Sequence, residues 1–438
     1  MKHVLIIAYL FPPIGGGGVQ RALKLAKYLG RHDFQVSVLT VKDPLHATPD
    51  DSLLKQIPEN VMIYRAEEMK LIPRESAGTV PQGSVFKGAG PSVRQKLFRK
   101  LKPALLKGKE ALLIPDDQIL WYRQAVSMAV ELVKEKQVDV ILSTSGPYTN
   151  HLVGRGVKRK TDVKWIADFR DPWTQNMHRP TLSWRRKKEE RQEASVMKEA
   201  DLVTTVTPTF AKQFIGKYPA IKDKLHLIYN GYDPEDYENL TGIKREPERF
   251  TVLYTGIFYH ERNPRLFLKA VRELIDAGHL AFEHLSLEFA GVFDYPGYTE
   301  NQEQVNSLSL GGIVHVWGNL PHQEVLSRMK GADLLLLVGD TSEDAGAYIP
   351  GKLYEYMAVK KPILALTVEG ESARIVNDHA LGNVVAPHAL NDMKAAILSA
   401  YEGWLSGRQN MPDNGETELF RRDKQAEQFA ELIHQRLG

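Results

Sequence analysis

The sequence predicts an α/β protein with two doubly wound, Rossmann-like parallel sheets, one in each half of the chain, facing a central cleft. Three observations carry this. The strands are continuous apolar runs, such as Val4-Leu5-Ile6-Ile7-Ala8-Tyr9 and Leu334-Leu335-Leu336-Leu337-Val338, as expected of strands buried on both faces. Such runs alternate with helical patterns in both halves. A polar stretch over 234–249 interrupts the alternation and reads as a linker. The expected division is therefore 1–235, 236–415 and a last helix over 416–438 that packs at the domain junction.

Bulk properties narrow the class. A chain of 438 residues exceeds one ordinary core, and 43% hydrophobic with 25% charged residues is a globular composition. No apolar run approaches the ~20 residues that span a bilayer. Residues 4–11 are apolar, but Pro12-Pro13 and four glycines follow, so they read as a first strand rather than a signal peptide. The absence of cysteine excludes disulfides and thiolate-bound metal and fits a reducing, cytoplasmic setting. A net charge of +3 gives no reason to expect nucleic acid.

In the first half, Gly15-Gly16-Gly17-Gly18 links the first strand to a helix over 19–29, and a strand over 35–39 follows. This is a βαβ start whose turn lets backbone approach a phosphate or sugar, with Gly17 and Gly18 as candidates. A flexible loop is the competing reading, and neither the dinucleotide nor the P-loop spacing is met. Residues 65–115 break the rhythm as a basic insert. Within 91–109 there are seven Lys or Arg and no acid, interleaved with apolar residues and divided by Pro103. Such a segment suits an anionic membrane surface, at ~1 kcal/mol per basic residue, or equally a solvated helical insert.

A helix over 121–136 and a strand over 138–144 restore the pattern, ending in Ser145-Gly146-Pro147, with His151 in the next helix. The strand over 163–167 delivers Asp168-Phe169-Arg170-Asp171-Pro172-Trp173. Ligands collect beyond the carboxyl ends of parallel strands, which makes Gly146, His151, Asp168, Arg170 and Asp171 site candidates. An internal Arg–Asp pair pinning the loop is the alternative, and His151 alone fits a structural role. A helix over 184–200 carries Arg185-Arg186-Lys187-Lys188 on a solvated or membrane-facing side.

The second half repeats the logic. A strand over 250–255 turns through Gly256 to Pro264 into a helix over 265–277, placing Arg262 near a helix start as a phosphate cation. Strands over 285–290 and 313–317 follow, the latter leading to Gly318-Asn319-Leu320-Pro321. The strand over 332–338 runs into Ile349-Pro350-Gly351-Lys352-Leu353-Tyr354-Glu355-Tyr356, where Pro350 and Gly351 open a helix. The N-terminus of such a helix suits an anion, Lys352 adds a cation, and Glu355 lies on the same face. A lysine for phosphate beside a carboxylate for hydroxyls is what a nucleotide diphosphate-sugar requires. An ordinary surface pair gives the same spacing.

Four stretches together resemble the GT-B glycosyltransferases of the retaining family 4 type: the glycine-rich first turn, Arg170-Asp171-Pro172-Trp173, the turn from Tyr254 to Pro264, and Pro350-Gly351-Lys352-Leu353-Tyr354-Glu355-Tyr356. The last resembles the subset that builds bacterial polysaccharides on lipid-linked acceptors. The resemblance implies a donor-binding C-terminal domain and an acceptor-binding N-terminal domain. It puts Gly17, Gly18, Gly256, Arg262, Gly318, Leu320, Ile349, Pro350, Gly351, Lys352, Leu353 and Glu355 around the donor, with Glu355 on the ribose. Gly146, His151, Asp168 and Arg170 fall to the acceptor. Arg170, Asp171, Arg262 and Lys352 form the catalytic set, the last two neutralising the diphosphate in place of a metal. No cofactor is implied, UDP is favoured over GDP, and transfer retains configuration by front-face attack. A cytoplasmic enzyme, peripheral on the membrane, is expected.

The chain departs from the family pattern at Ala347, where a glutamate usually contacts the donor sugar; Glu343 and Asp344 are the possible substitutes. It also carries Arg170-Asp171 where many members have His-Asp. The alternatives are a sugar-nucleotide epimerase or hydrolase of the same fold, which needs no acceptor, and a non-catalytic nucleotide-sugar-binding protein, since fold does not fix chemistry.

Overall fold

The computed structural model describes residues 1–43, 49–69, 113–176, 182–238, 240–243, 248–259, 262–342, 344–407 and 414–437. The basic segment 91–109 and Glu343 lie outside the described residues. The chain forms two compact units. One comprises 1–206, 213–227 and 426–438, the other 207–212 and 228–425.

The first unit runs β1 (Lys2–Ile7), α1 (Gly17–Leu29), β2 (Phe34–Val41), β3 (Met62–Ala66), α2 (Tyr122–Glu135), β4 (Val140–Thr144), α3 (Thr149–Thr161), β5 (Lys164–Phe169), α4 (Ser183–Glu199), β6 (Leu202–Thr205), α5 (Pro208–Lys217) and β7 (Leu225–Leu227). The helix α5 begins in the second unit and ends in the first. The strands make one parallel sheet ordered β3-β2-β1-β4-β5-β6-β7. Val4 lies beside Val36 on one side and Val140 on the other, and all three are buried. Side chains alternate across a pleat, so a strand covered on both faces must be apolar at every position. The strand order reverses between β1 and β4, and the crevice beyond such a reversal is where ligands bind.

The second unit continues with β8 (Phe250–Thr255), α6 (Arg265–Asp276), β9 (Leu285–Ala290), α7 (Glu300–Ser307), β10 (Val314–Gly318), α8 (His322–Gly331), β11 (Leu334–Val338), α9 (Gly351–Val359), β12 (Ile363–Leu366), α10 (Glu371–Asp378), β13 (Gly382–Val385) and α11 (Leu390–Leu405). Its parallel sheet is ordered β10-β9-β8-β11-β12-β13, with the reversal between β8 and β11. Apolar layers cover both faces, one built around Phe267, Val271 and Phe289, the other around Leu353, Tyr356 and Met357.

The last helix, α12 (Arg422–Arg436), starts against the second unit, where Arg422 N donates to Tyr232 O at 2.8 Å. From residue 426 it belongs to the first. There Phe429 and Ile433 are fully buried, and the His434 ring lies 4.9 Å from Phe34. No described helix is long and apolar enough to cross a membrane.

Most expected strands and helices appear within two residues of their predicted ends. β3, which no sequence pattern announced, pairs with β2 and ends at Ala66, just inside the 65–115 stretch read as a break in the rhythm. Pro350 is the N-cap of α9, with extended backbone, rather than its first helical residue.

Candidate functional site

In the first unit, the candidate residues sit in the loops that leave β1, β4 and β5. Gly17 opens α1, and a side chain at Gly18 would meet Leu10 at 2.8 Å, so the loop is packed as well as open. Arg170 ties these loops together. Its guanidinium donates to the carbonyls of Gly18 (2.7 Å), Gly146 (3.1 Å) and Ser145, and its amide donates to Ser145 Oγ at 3.0 Å. Burial lowers its pKa, and Asp171 and Asp168 oppose that. Arg170 therefore braces the crevice with the donors that the catalytic assignment would direct at substrate.

Asp168 is corrected from acceptor residue to core residue. It is fully buried, and both its oxygens are engaged: by Arg21 Nε and Nη2 at 2.8 Å each, by Thr144 Oγ1 at 2.7 Å and by Thr204 Oγ1 at 2.7 Å. Burial raises a carboxylate's pKa, but Arg21 and the two hydroxyls outweigh it and hold Asp168 below the usual range. No accepting lone pair faces a ligand. Arg21 is itself 1% exposed and lies over the Phe429 ring of α12, 5.5 Å from its centroid.

His151 is corrected likewise. It is fully buried and stacked on Phe169 at 4.2 Å. Ser143 Oγ accepts from Trp165 Nε1 at 2.9 Å and shares a hydrogen bond of 2.8 Å with His151 Nδ1. Burial pushes the imidazole pKa down to about 3, and the ring stays neutral. It contributes packing.

Asp171 stays partly exposed at the end of β5. The loop after it is held from α4: Trp173 Nε1 donates to Glu189 at 3.2 Å, and Thr174 Oγ1 to Glu193 at 2.6 Å. Glu193 also accepts from Tyr218 and Lys217, each at 2.7 Å. The Tyr148 ring stacks on Trp173 at 5.1 Å. Of the four stretches read from sequence, this one is the most heavily buttressed.

In the second unit, the loop from β8 and the start of α9 meet. Gly256 has a φ of +116°, which favours glycine, and a side chain there would lie 2.7 Å from Lys352 Nζ and displace the ammonium. Lys352 is partly exposed while its Nζ is buried, with no hydrogen-bond partner among the described residues. The ammonium rests over the Tyr254 ring, 3.9 Å from the centroid, and Tyr254 is backed by Phe258 at 4.0 Å. Burial, and after it the neighbouring Arg262, hold the Lys352 pKa well below the usual lysine range; Glu355 offsets part of this. Arg262 lies over the Tyr259 ring at 4.9 Å, and its Nε is also buried and unpartnered. Lys352 Nζ and Arg262 Nε are thus both buried beside aromatic faces, with no hydrogen-bond partner among the described residues.

Glu355 does not pair with Lys352. Its carboxylate is 3.2 Å from His322 Nε2, at the start of α8. Tyr356 bolts α9 to the point of strand reversal: its hydroxyl accepts from Thr255 N and donates to Leu336 O, each at 3.1 Å. Leu353 is fully buried in the core, so only its backbone is left to face a donor. Pro350 and Ile349 are partly exposed beside it, Gly351 is exposed, and Gly318 and Leu320 follow β10. Ala347 is buried and Asp344 exposed. Tyr254, Tyr259, His322 and Tyr356 are the members of this group that the sequence reading passed over or left without a role.

Comparison with known families bears on both halves. The profile described as Glycosyltransferase Family 4 matches residues 85–236, and that of Glycosyl transferases group 1 matches 238–418. The chain belongs to the GT-B glycosyltransferases of the family 4 type. No curated protein sequence matches this glycosyltransferase. Among solved structures, sucrose-phosphate synthase from Thermosynechococcus elongatus is 16% identical, with 99% of each chain covered and a TM-score of 0.62. HepE from Anabaena, solved with UDP, is 14% identical over 99% of this glycosyltransferase and 100% of that chain, with a TM-score of 0.63. A UDP-N-acetylglucosamine 2-epimerase from Listeria monocytogenes shares the fold at 12% identity, covering 99% and 97%, with a TM-score of 0.53.

Proposed function

We propose that this glycosyltransferase moves a sugar, with retention of configuration, from a UDP-sugar to a glycan or lipid-linked acceptor at the cytoplasmic face of the membrane, in surface polysaccharide synthesis. The observation that carries the donor half is the pair of buried cationic nitrogens, Lys352 Nζ and Arg262 Nε, neither of which has a hydrogen-bond partner among the described residues. A buried cation without a partner is costly, and a diphosphate would supply the missing acceptors. HepE, of the same fold, has been solved with UDP and with UDP-glucose, which favours uridine. Glu355 is assigned to the ribose and Asp171 to the sugar or acceptor. As the bond from the anomeric carbon to the diphosphate breaks, the acceptor oxygen bonds to that carbon on the same face. Its proton passes to a leaving phosphate oxygen. Charge growing on the diphosphate is stabilised by Lys352 and Arg262, which take the place of a metal ion.

The test is a thermal-shift screen against UDP, GDP, ADP, CMP and dTDP. UDP at about 100 times its Kd is expected to add about 2.7 kcal/mol of apparent stability. A shift with none of the five would remove the donor assignment. Turnover of the UDP-sugar without an acceptor would favour the epimerase or hydrolase reading.

A further inference from the structure

We propose that the outer face of α4 seats this enzyme on an anionic lipid bilayer. The buried face of this helix joins two acids, Glu189 and Glu193, to Val196 and Met197. Glu189 and Glu193 are 2% and 0% exposed and hold the loop that follows Asp171. The opposite face begins with Leu182, 64% exposed, and Trp184, 50% exposed. Trp184, Lys187, Lys188 and Arg191 follow at i, i+3, i+4 and i+7, which places them on one stripe, and all four are exposed. Arg186, also exposed, has a partial counter-charge in Glu190 at 3.4 Å.

Helix stability alone does not favour this arrangement. The first turn contains no acid, Leu182 provides no side-chain cap, and basic residues crowd the positive end of the helix dipole. An external anionic surface relieves that repulsion. A tryptophan and a leucine beside the cations add what a phospholipid interface offers and a purely polar polyanion does not: a boundary where an amphipathic ring is stable. Because the reverse side of the same helix holds the Asp171 loop, a bilayer bound there lies one helix diameter from the proposed acceptor residue. The inference deepens the lipid-linked acceptor reading, but vesicle binding, which decides it, is read without donor or acceptor.

Flotation of the full chain with vesicles of phosphatidylcholine, alone or mixed with phosphatidylglycerol, reads it out. Binding to the mixed vesicles and not to the neutral ones is expected. Each neutralised cation should lower the partition coefficient by about fivefold, so K187Q/K188Q/R191Q should lose on the order of a hundredfold. L182S/W184S should also bind less, and W184F, which leaves five other tryptophans, should show reduced energy transfer to a dansyl lipid. Melting temperature and the UDP-induced shift should stay at wild-type values in every variant, which shows that folding and nucleotide binding are intact. Wild-type vesicle binding in both multiple variants would overturn the proposal. So would a wild-type chain that ignores anionic vesicles but is retained by RNA.

Discussion

Lys352→Met is expected to weaken UDP binding by about 3 kcal/mol, on the order of a hundredfold in Kd, while leaving the ligand-free protein at least as stable as wild type. The two effects have one origin. The Lys352 ammonium has given up its hydration for a place over the Tyr254 ring, with no hydrogen-bond partner among the described residues. A cation–π contact offsets part of that cost, and methionine fills the same space with no charge to desolvate. Isothermal titration of both proteins measures the affinity, and melting of the free forms measures the stability. Equal UDP affinity in the two would remove Lys352 from the donor site.

The same lysine fixes a pH dependence. Burial lowers its pKa in the free protein, so in the window between that value and the unfolded ~10.4 the unfolded chain binds more protons than the native one. The stability contribution from this group therefore rises with pH across the window. Nucleotide binding runs the other way. The diphosphate favours the charged lysine, so complex formation takes up a proton, and affinity falls as pH rises through the free-protein pKa. Titrations in buffers of different ionisation heat detect that uptake in wild type, and Lys352→Met abolishes it.

Asp168→Asn is expected to destabilise the first unit by about 3–5 kcal/mol, because it strands the Arg21 guanidinium in a site with 1% exposure. At about 2–4 °C per kcal/mol for a unit of this size, its melting temperature should drop by roughly 10 °C. The carboxylate accepts from Arg21, Thr144 and Thr204, so one change disturbs α1, β4 and β6 together. Exchanging both partners for apolar residues, Arg21→Met with Asp168→Leu, should recover much of the loss, since an unpaired buried charge costs more than a missing pair. If Asp168→Asn instead melts like wild type and loses only activity, the residue faces substrate and its assignment to the core is wrong.

The fold was legible wherever strands were covered on both faces. The runs at 250–255 and 334–338 are unbroken because every position is buried, and both appear as read. The edges were harder. Met62–Ala66 is mostly half-buried, and Gly382–Val385 is exposed over its first two residues, so neither carries a solid apolar run. At the site, Lys352 announced itself through its motif, but its aromatic seat could not. Tyr254 comes from a strand nearly a hundred residues earlier, and only the reversal between β8 and β11 brings the two together. Asp168 and Asp171 looked alike as neighbouring acids beyond a strand. The distinguishing signal was available: Asp168 sits between Ala167 and Phe169 inside an apolar run, and α1 carries Arg21 between apolar positions of its buried face. A carboxylate and a guanidinium, each in a setting that excludes water, imply one another.

The ownership of α12 bears on biosynthesis. Phe429, which lies over Arg21, and Ile433, which is fully buried, complete the core of a unit whose strands are all translated before them, with the whole second sheet in between. A nascent chain stalled after residue 425 holds every strand of that unit without these two side chains. Domains ordinarily fold in order of synthesis. Here the first unit waits for a helix made after the second sheet, so a stop codon or proteolytic clip within α12 costs it its finished core, and quality control reads damage in one stretch of the polypeptide as misfolding in another.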